Sequence, residues 1–255
     1  MIQEKAVILG RRTLSPGVYK YLLSSPGIAR TAAAGQFVQV TAPGFFLRRP
    51  ISICRIDPQA GTLVLVMEVR GNGTAAIAQL GSEDTLDLIG PLGNGFALKD
   101  SSAKALMVGG GIGLPPLCQP AFHHGENAVV VSGFRNQKAV ILADEIENTG
   151  AKFEFSTDDG SAGHHGLVTD LVKKYLEQEK IEVIYACGPM PMLRAVAALA
   201  KEKGVECQVS LEERMACGMG ACLGCACALY DQNGEQYYGH VCKDGPVFPA
   251  EKVVW

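Results

Sequence analysis

The spacing of the apolar segments changes once along the chain, near residue 98, and this change constrains the fold more than any other feature. Before it, six short apolar segments are separated by turn residues: "EKAVILGRR", "VYKYLLSS", "QFVQVTA", "PISICRI", "TLVLVMEV" and "TLDLIG". Closely spaced short strands are typical of antiparallel sheets. The first part of the chain is therefore predicted to be a six-stranded antiparallel β-barrel.

After residue 98 the apolar segments are farther apart and less interrupted by polar residues. "KALMVGG", "NAVVVSG", "KFEFST", "EVIYACG" and "VECQVS" follow one another at intervals of roughly 20 to 30 residues, with helical stretches between them. Near-continuous apolar strands alternating with helices indicate a parallel sheet covered on both faces. One helical stretch, "PMLRAVAALAKEKG", ends at Gly204, a residue type that commonly closes helices. This part is predicted to be a Rossmann-like α/β domain.

A short cysteine-rich tail completes a β + α/β chain of three predicted domains, at residues 1–98, 99–210 and 211–255. A tail of this size can hardly bury a core of its own, so a metal centre is expected to stabilise it. The chain has no signal-peptide pattern and no run of about 18 apolar residues, which predicts a cytoplasmic protein without a membrane segment. A net charge of −3 without a basic run argues against a nucleic-acid partner.

The cysteines of the tail carry the most specific pattern. Cys217, Cys222 and Cys225 have the spacing by which plant-type ferredoxins bind a 2Fe-2S cluster, and Cys242 is the expected fourth ligand. Cys227 competes for that role, but it stands only two residues after Cys225. A structural zinc site is the main alternative, although such sites normally combine two C-x2-C pairs and this tail has one.

Two turns of the second domain are candidates for nucleotide binding. "VGGGIGLPPL" places Gly110, Gly111 and Gly113 directly after a strand, where glycine lets a phosphate approach the backbone and a helix N-terminus attracts it. A plain tight turn remains the alternative. "YACGPMPM" places Cys187 and the Gly188-Pro189 pair at the carboxyl end of the fourth strand of this domain, where open parallel sheets bind ligands. The alternative there is a structural cysteine before a helix that begins with proline.

The barrel contributes "LRRPISI" and "EVRGNGT". Arg49 could clamp a diphosphate, and the hydroxyl of Ser52 could bind a ring nitrogen or oxygen, as in a flavin site. Two adjacent arginines in a loop are otherwise simply solvated.

Taken in order, these motifs resemble the ferredoxin-NADP reductase superfamily over most of the chain. "LEERMACGMGACLGCAC" and "VCKDGPVF" are similar to the electron transfer subunits of NAD-dependent, class 1B dihydroorotate dehydrogenases. The resemblance implies no catalytic residue beyond the cofactors, with Cys187 near the nicotinamide. It implies further cofactor-binding and ligand residues at these positions: Arg49, Pro50, Ile51, Ser52, Val66, Met67, Glu68, Gly73 and Thr74 for FAD; Gly110, Gly111, Gly113, Cys187, Gly188 and Pro189 for NAD; Cys217, Cys222, Cys225 and Cys242 for the cluster. Ile51 stands where many reductases of the superfamily have an aromatic residue.

The resemblance also implies a route for electrons. NADH gives up a hydride and a 2Fe-2S cluster takes one electron at a time, so FAD is expected between them. The implied partner is an FMN-containing catalytic subunit, in a heterotetramer of two subunits of each kind that serves pyrimidine (UMP) biosynthesis. Arg135 could meet the 2′-phosphate of NADP, although the resemblance favours NAD. A reductase subunit of a hydrogenase or sulfide dehydrogenase, and a zinc-stabilised nucleotide-binding module, remain as alternatives.

Overall fold

The computed structural model describes all 255 residues and confirms the predicted barrel. Its six strands are hydrogen-bonded in the closed order β1-β2-β5-β4-β3-β6. They are β1 Ile2–Ser15, β2 Val18–Ser24, β3 Phe37–Val40, β4 Arg49–Asp57, β5 Thr62–Glu68 and β6 Thr85–Leu92, with helices α1 Pro26–Ala29 and α2 Asn72–Ile77 in the connections. Alternating side chains such as Leu63, Leu65, Leu86 and Leu88 fill the interior, as small barrels require.

A seven-stranded sheet forms the second part of the molecule. It runs in the order β10-β9-β8-β7-β11-β12-β15, and every neighbouring pair is parallel except the last. The strands are β7 Ala105–Gly110, β8 Ala128–Phe134, β9 Lys152–Thr157, β10 His164–His165, β11 Val183–Cys187, β12 Glu206–Ser210 and, from the tail, β15 Val247–Pro249. The predicted parallel α/β domain is confirmed.

Four helices cover this sheet: α3 Cys118–His124, α4 Ala143–Glu147, α5 Val168–Gln178 and α6 Met190–Lys203. Helix α6 ends at Gly204, whose φ of 67° is the left-handed conformation that glycine adopts without strain. On α5, Lys174 and Tyr175 hold the carboxylate of Glu154 on β9 at 2.8 and 2.7 Å. No helix is both long and apolar enough to cross a bilayer.

The segment after the glycines differs from the expected helix N-terminus. The chain makes two 3-10 turns, Gly111–Gly113 and Pro115–Leu117, before α3 begins at Cys118. Prolines 115 and 116 have no N–H to donate, and a residue before proline is disfavoured in the α conformation. The expected α-helical N-terminus at these glycines is therefore wrong, because α3 starts too late to provide it.

The tail shares its core with the sheet. Its hairpin consists of β13 Ala226–Tyr230 and β14 Gln236–His240, and Leu229, Val241 and Phe248 belong to the same buried cluster as β7 and β11. β15 pairs with β12 from Gln208 to Ser210. The tail is too short to form a hydrophobic core alone, and it packs into the core of the sheet instead.

Candidate functional site

The predicted cluster cysteines lie on a loop without regular secondary structure and on the end of the hairpin that follows. Gly218 and Gly220 have φ values of 69° and 82°, which turn backbone amides toward the sulfurs. The amide of Met219 lies 3.5 Å from the Sγ of Cys217, and the amide of Gly220 lies 3.1 Å from the Sγ of Cys242. Amides aimed at sulfur are the donors that stabilise thiolates in iron-sulfur sites.

The four thiols interact as two pairs, Cys217 with Cys222 and Cys225 with Cys242. No three of the chain's His, Cys, Asp or Glu side chains are arranged as ligands of one metal ion. A zinc ion would need four ligands around a single point, whereas a two-iron cluster takes one pair of thiolates on each iron. The paired arrangement therefore fits a 2Fe-2S cluster.

The two pairs have opposite electrostatic surroundings. Burial alone would raise the pKa of Cys217, but hydrogen bonds from the amides of Met219, Cys222 and Ala221 lower it to about 6. Burial and the hydrogen bond with Cys225 raise the pKa of Cys242 to about 12. The lowered pKa favours the thiolate form of Cys217, which is the form of cysteine that binds iron.

Cys227 has different contacts from Cys242. It is half-buried on β13, paired across the hairpin with Gly239, and burial followed by the charge of Glu213 raises its pKa to about 11. The Gly220 amide and the thiol of Cys225 both point to Cys242 instead. These contacts support Cys242 as the fourth ligand.

A cavity of ≈ 270 Å³ lies where the barrel meets the sheet and the tail. The predicted residues that line it are Arg49, Pro50, Ile51, Ser52, Val66, Met67, Glu68, Thr74 and Cys187. It is also lined by residues that the sequence analysis did not name as site residues: Phe37, Arg70, Ser210, Glu212, Glu213 and Met215. The wall opposite the barrel therefore comes from the segment that leads into the cluster loop.

One cationic side chain and one glycine shape the barrel side of this cavity. Gly73 is buried, and a Cβ there would collide with the guanidinium of Arg49. The Oγ1 of Thr74 accepts hydrogen bonds from the amides of Arg70 and Gly71 at 3.0 and 3.2 Å. The result is an ordered loop with a positive charge beside it, which suits a diphosphate.

A larger cavity of ≈ 740 Å³ lies at the carboxyl ends of the parallel strands, and of the predicted nucleotide residues Gly110, Gly111 and Pro189 line it. Gly113 and Gly188 do not line it. At each of these glycines another stretch of backbone comes very close. A Cβ on Gly113 would lie 2.6 Å from the carbonyl carbon of Cys187, and one on Gly188 would lie 3.0 Å from the Cα of Gly110. These contacts bring the β7 and β11 turns together.

Cys187 is a buried residue that lines the smaller cavity and does not line the larger one. Burial, followed by the charge of Glu212, raises its pKa far above the ordinary range. Because the thiol stays protonated at neutral pH, it neither attacks nor takes up a proton. It provides an uncharged, compact surface at this point.

Glu68, Arg70 and Ile112 line both cavities. The guanidinium of Arg70 lies 2.7 Å from Glu68 and 4.0 Å from Glu212, so an ion triad links the barrel to the tail at the junction. The sequence gives no local signal for this triad, because its members come from separate segments. Two ligands in the two cavities would share this wall.

The far part of the larger cavity has charges of both signs. Arg135 and Lys138 follow β8 there, and Asp158 follows β9. The loop after β9 reaches the nucleotide cavity through Asp158, Val168 and Thr169. Arg135, the residue considered for the 2′-phosphate of NADP, lines this cavity together with Asp158.

Comparison with known proteins identifies two segments of the chain. Residues 212–254 match the iron-sulfur cluster binding domain of dihydroorotate dehydrogenase B, and residues 107–198 match the oxidoreductase NAD-binding domain. The dihydroorotate dehydrogenase B (NAD(+)) electron transfer subunit of Bacillus caldolyticus is 41% identical over 260 residues, covering 99% of this chain and 98% of that protein. The corresponding subunit of Listeria monocytogenes is 39% identical and covers 99% of each chain.

Solved structures show the same architecture. A chain of the NADH-dependent reduced ferredoxin-NADP oxidoreductase superimposes with a TM-score of 0.87 at 30% identity, over 99% of this chain and 90% of that one. A ferredoxin NADP+ reductase from Neisseria gonorrhoeae, solved with FAD and NADP, has a TM-score of 0.64 at 18% identity, covering 79% and 92% of the two chains. The second likeness concerns the fold alone.

Proposed function

The chain belongs to the family of dihydroorotate dehydrogenase B (NAD(+)) electron transfer subunits, and we propose that it transfers electrons between NAD and a catalytic partner subunit. The observation that carries this proposal is the junction of three sites in one body. The nucleotide cavity and the smaller cavity share Glu68 and Arg70, and Arg70 also contacts Glu212, which begins the segment that leads into the cluster loop. The overall reaction oxidises dihydroorotate and reduces NAD, in pyrimidine biosynthesis.

FAD, NAD and a 2Fe-2S cluster are the cofactors, and each has a site that fits it. When bound, FAD and the cluster together supply the exchange between hydride chemistry and one-electron chemistry. We assign FAD to the smaller cavity and to residues 1–98, NAD to the larger cavity and to residues 99–210, and the cluster to residues 211–255.

The protein's own side chains bind, orient and exclude water in this scheme. Arg49 neutralises a diphosphate, while Gly73 and Thr74 hold the adjacent loop in place. The barrel wall against which the flavin packs consists of Pro50, Ile51, Ser52, Val66, Met67 and Glu68. The backbone that the nicotinamide nucleotide approaches is shaped by Gly110, Gly111, Gly113, Gly188 and Pro189. The uncharged thiol of Cys187 lines the smaller cavity, and we place the nicotinamide end of the nucleotide near it.

The partner is the catalytic subunit of the same enzyme. We propose that it contains FMN and that two copies of each subunit form a heterotetramer. Nine free cysteines, including the four that would bind the cluster, support a reducing compartment, the cytoplasm. No side chain of this chain is needed as a base for dihydroorotate in this scheme, since that chemistry belongs to the partner.

The visible spectrum of the purified complex, recorded without oxygen before and after NADH is added, tests this function. We expect flavin bands and broad iron-sulfur absorbance, both bleached by NADH and restored by the oxidised partner substrate, orotate. A colourless protein that contains zinc would refute the redox function. Equal or faster bleaching with NADPH would refute the assignment of NAD.

Co-purification separates the proposed partner from a hydrogenase or a sulfide dehydrogenase. The tagged chain, expressed at its natural level, should retain an FMN-containing dihydroorotate-oxidising subunit in a one-to-one ratio. Retention of a hydrogenase or sulfide dehydrogenase instead would refute the assignment of the partner while leaving the electron path intact.

A further inference from the structure

Gln39 is a buried polar residue whose side-chain amide forms no hydrogen bond within the protein. It lies on β3 with 1% of its surface exposed, and neither its Nε2 nor its Oε1 has a hydrogen-bond partner. A buried amide without hydrogen bonds is destabilising, so such groups normally bind something. Gln39 lines neither of the two cofactor cavities. Its ligand must therefore lie elsewhere.

The side chain of Gln39 points at the cluster loop. A Cβ on Gly218 would lie 2.7 Å from the Cγ and 2.9 Å from the Cδ of Gln39, with Nε2 closer still. Gly218 follows Cys217 directly, and the Met219 amide on its other side already donates to the sulfur of Cys217. The carboxamide of Gln39 thus reaches the cluster loop from the barrel side, against a glycine that leaves room for it.

The position on β3 also connects Gln39 to the other cavity. Gln39 pairs with Pro50 on β4, the strand that carries the predicted flavin residues. β3 therefore pairs with the flavin strand β4, while the side chain of Gln39 reaches the cluster loop. A polar side chain at this point can act on the cluster without entering the flavin cavity.

We propose that the Nε2 amide of Gln39 donates a hydrogen bond to a sulfur of the 2Fe-2S cluster, either the Sγ of Cys217 or a bridging sulfide, and raises the reduction potential of the cluster. Both kinds of sulfur accept and cannot donate, so the nitrogen of the carboxamide faces them. Reduction adds one electron and one negative charge, with no bond made or broken. A hydrogen bond to sulfur stabilises the more negative state.

The proposal rests on the proposed function, because it requires the four cysteines to bind the cluster. Its test is a redox titration of the intact complex, followed by the low-temperature EPR signal of the reduced cluster. Gln39→Leu keeps the approximate size of the side chain and removes the donor. We expect the ratio of reduced to oxidised cluster at a fixed potential to fall at least about threefold, or about 28 mV for a one-electron couple.

Two further variants make the titration decisive. Thr41→Val removes a different buried polar group without a hydrogen-bond partner, the hydroxyl of the residue that follows β3, and should leave the midpoint unchanged. Gln39→Met keeps the approximate length of the side chain and has neither an N–H donor nor a charge, so its midpoint should also fall. It provides the test if the leucine variant fails to fold.

The outcomes separate this inference from the proposed function. Iron and sulfide analysis, with the EPR signal of the unmodified complex, first establishes that the cluster is present. A wild-type complex without iron would refute the proposed function. Fully loaded Gln39 variants whose midpoint equals that of the wild type would overturn only the hydrogen bond from Gln39, as would an equal shift in Thr41→Val.

Discussion

Replacing Gly113 by alanine should weaken NADH binding while leaving the other two cofactors in place. The new Cβ would collide with the carbonyl oxygen of Cys187 and lie 2.6 and 2.8 Å from the next two backbone atoms, the carbonyl carbon of Cys187 and the Cα of Gly188. All three atoms belong to the main chain, so no side chain can rotate away. The turn after β7 or the turn after β11 must move.

The size of the effect follows from the cost of overpacking. Inserting a methyl group into a well-packed site typically costs about 1–3 kcal/mol. If that cost falls on the state that binds the nucleotide, each 1.4 kcal/mol weakens binding about tenfold, so roughly a 5- to 150-fold rise in the Kd for NADH is expected. Any part that falls on stability should lower Tm by roughly 2–4 °C per kcal/mol in a chain of this size.

The assay is the rate of flavin bleaching by NADH in a stopped-flow instrument, as a function of NADH concentration. Gly81→Ala is the matched control, since a Cβ at that position meets nothing within 4 Å and Gly81 lines neither cofactor cavity. We expect Gly113→Ala to need far more NADH than Gly81→Ala does, with the flavin and cluster spectra unchanged in both. Equal NADH dependence in Gly113→Ala and the wild type would refute the close-approach argument.

Three further changes test other parts of the molecule. Cys242→Ser should lose the iron-sulfur absorbance and Cys227→Ser should keep it, as iron analysis will show; the reverse result would exchange the two roles. Arg49→Ala should weaken FAD retention at least about tenfold in a dilution assay, because a charge-assisted contact is lost. Arg48→Ala should retain FAD, because the Arg48 side chain binds Asp87 at 3.1 Å instead. Burial alone would raise the pKa of Glu154, but hydrogen bonds from two α5 side chains lower it below 4.5. Glu154→Gln should therefore unfold more easily than the wild type at neutral pH in urea, with a difference that vanishes as pH falls through the lowered pKa; a constant difference down to pH 2 would contradict this.

The strands were predictable because each carries its own apolar pattern. All six barrel strands and the five main strands of the parallel sheet lie where the segments indicated. β15 was not predictable, since three residues have no periodicity and their pairing with β12 depends on the whole fold. The late start of α3 was missed for a local reason, the two prolines, which the glycine motif obscured.

The sites show the same division between local and distant information. The cysteine spacing and "RRPIS" are local, and the structure brings those residues to one loop and one cavity wall. Arg70 and Glu212 stand far apart in sequence and meet only when the barrel and the tail have folded. Gln39 gave no signal, because a single polar residue in an apolar strand is read as an outward-facing position.

The strand that the tail adds to the main sheet has a kinetic consequence. Because β15 and the shared core fix the cluster loop to the rest of the chain, the cysteines and the cofactor cavities do not have to find one another by diffusion. A separate ferredoxin must collide with its reductase in solution, and solvent viscosity and salt slow that encounter. Electron exchange inside this chain should be insensitive to both, so only the association with the partner subunit depends on concentration.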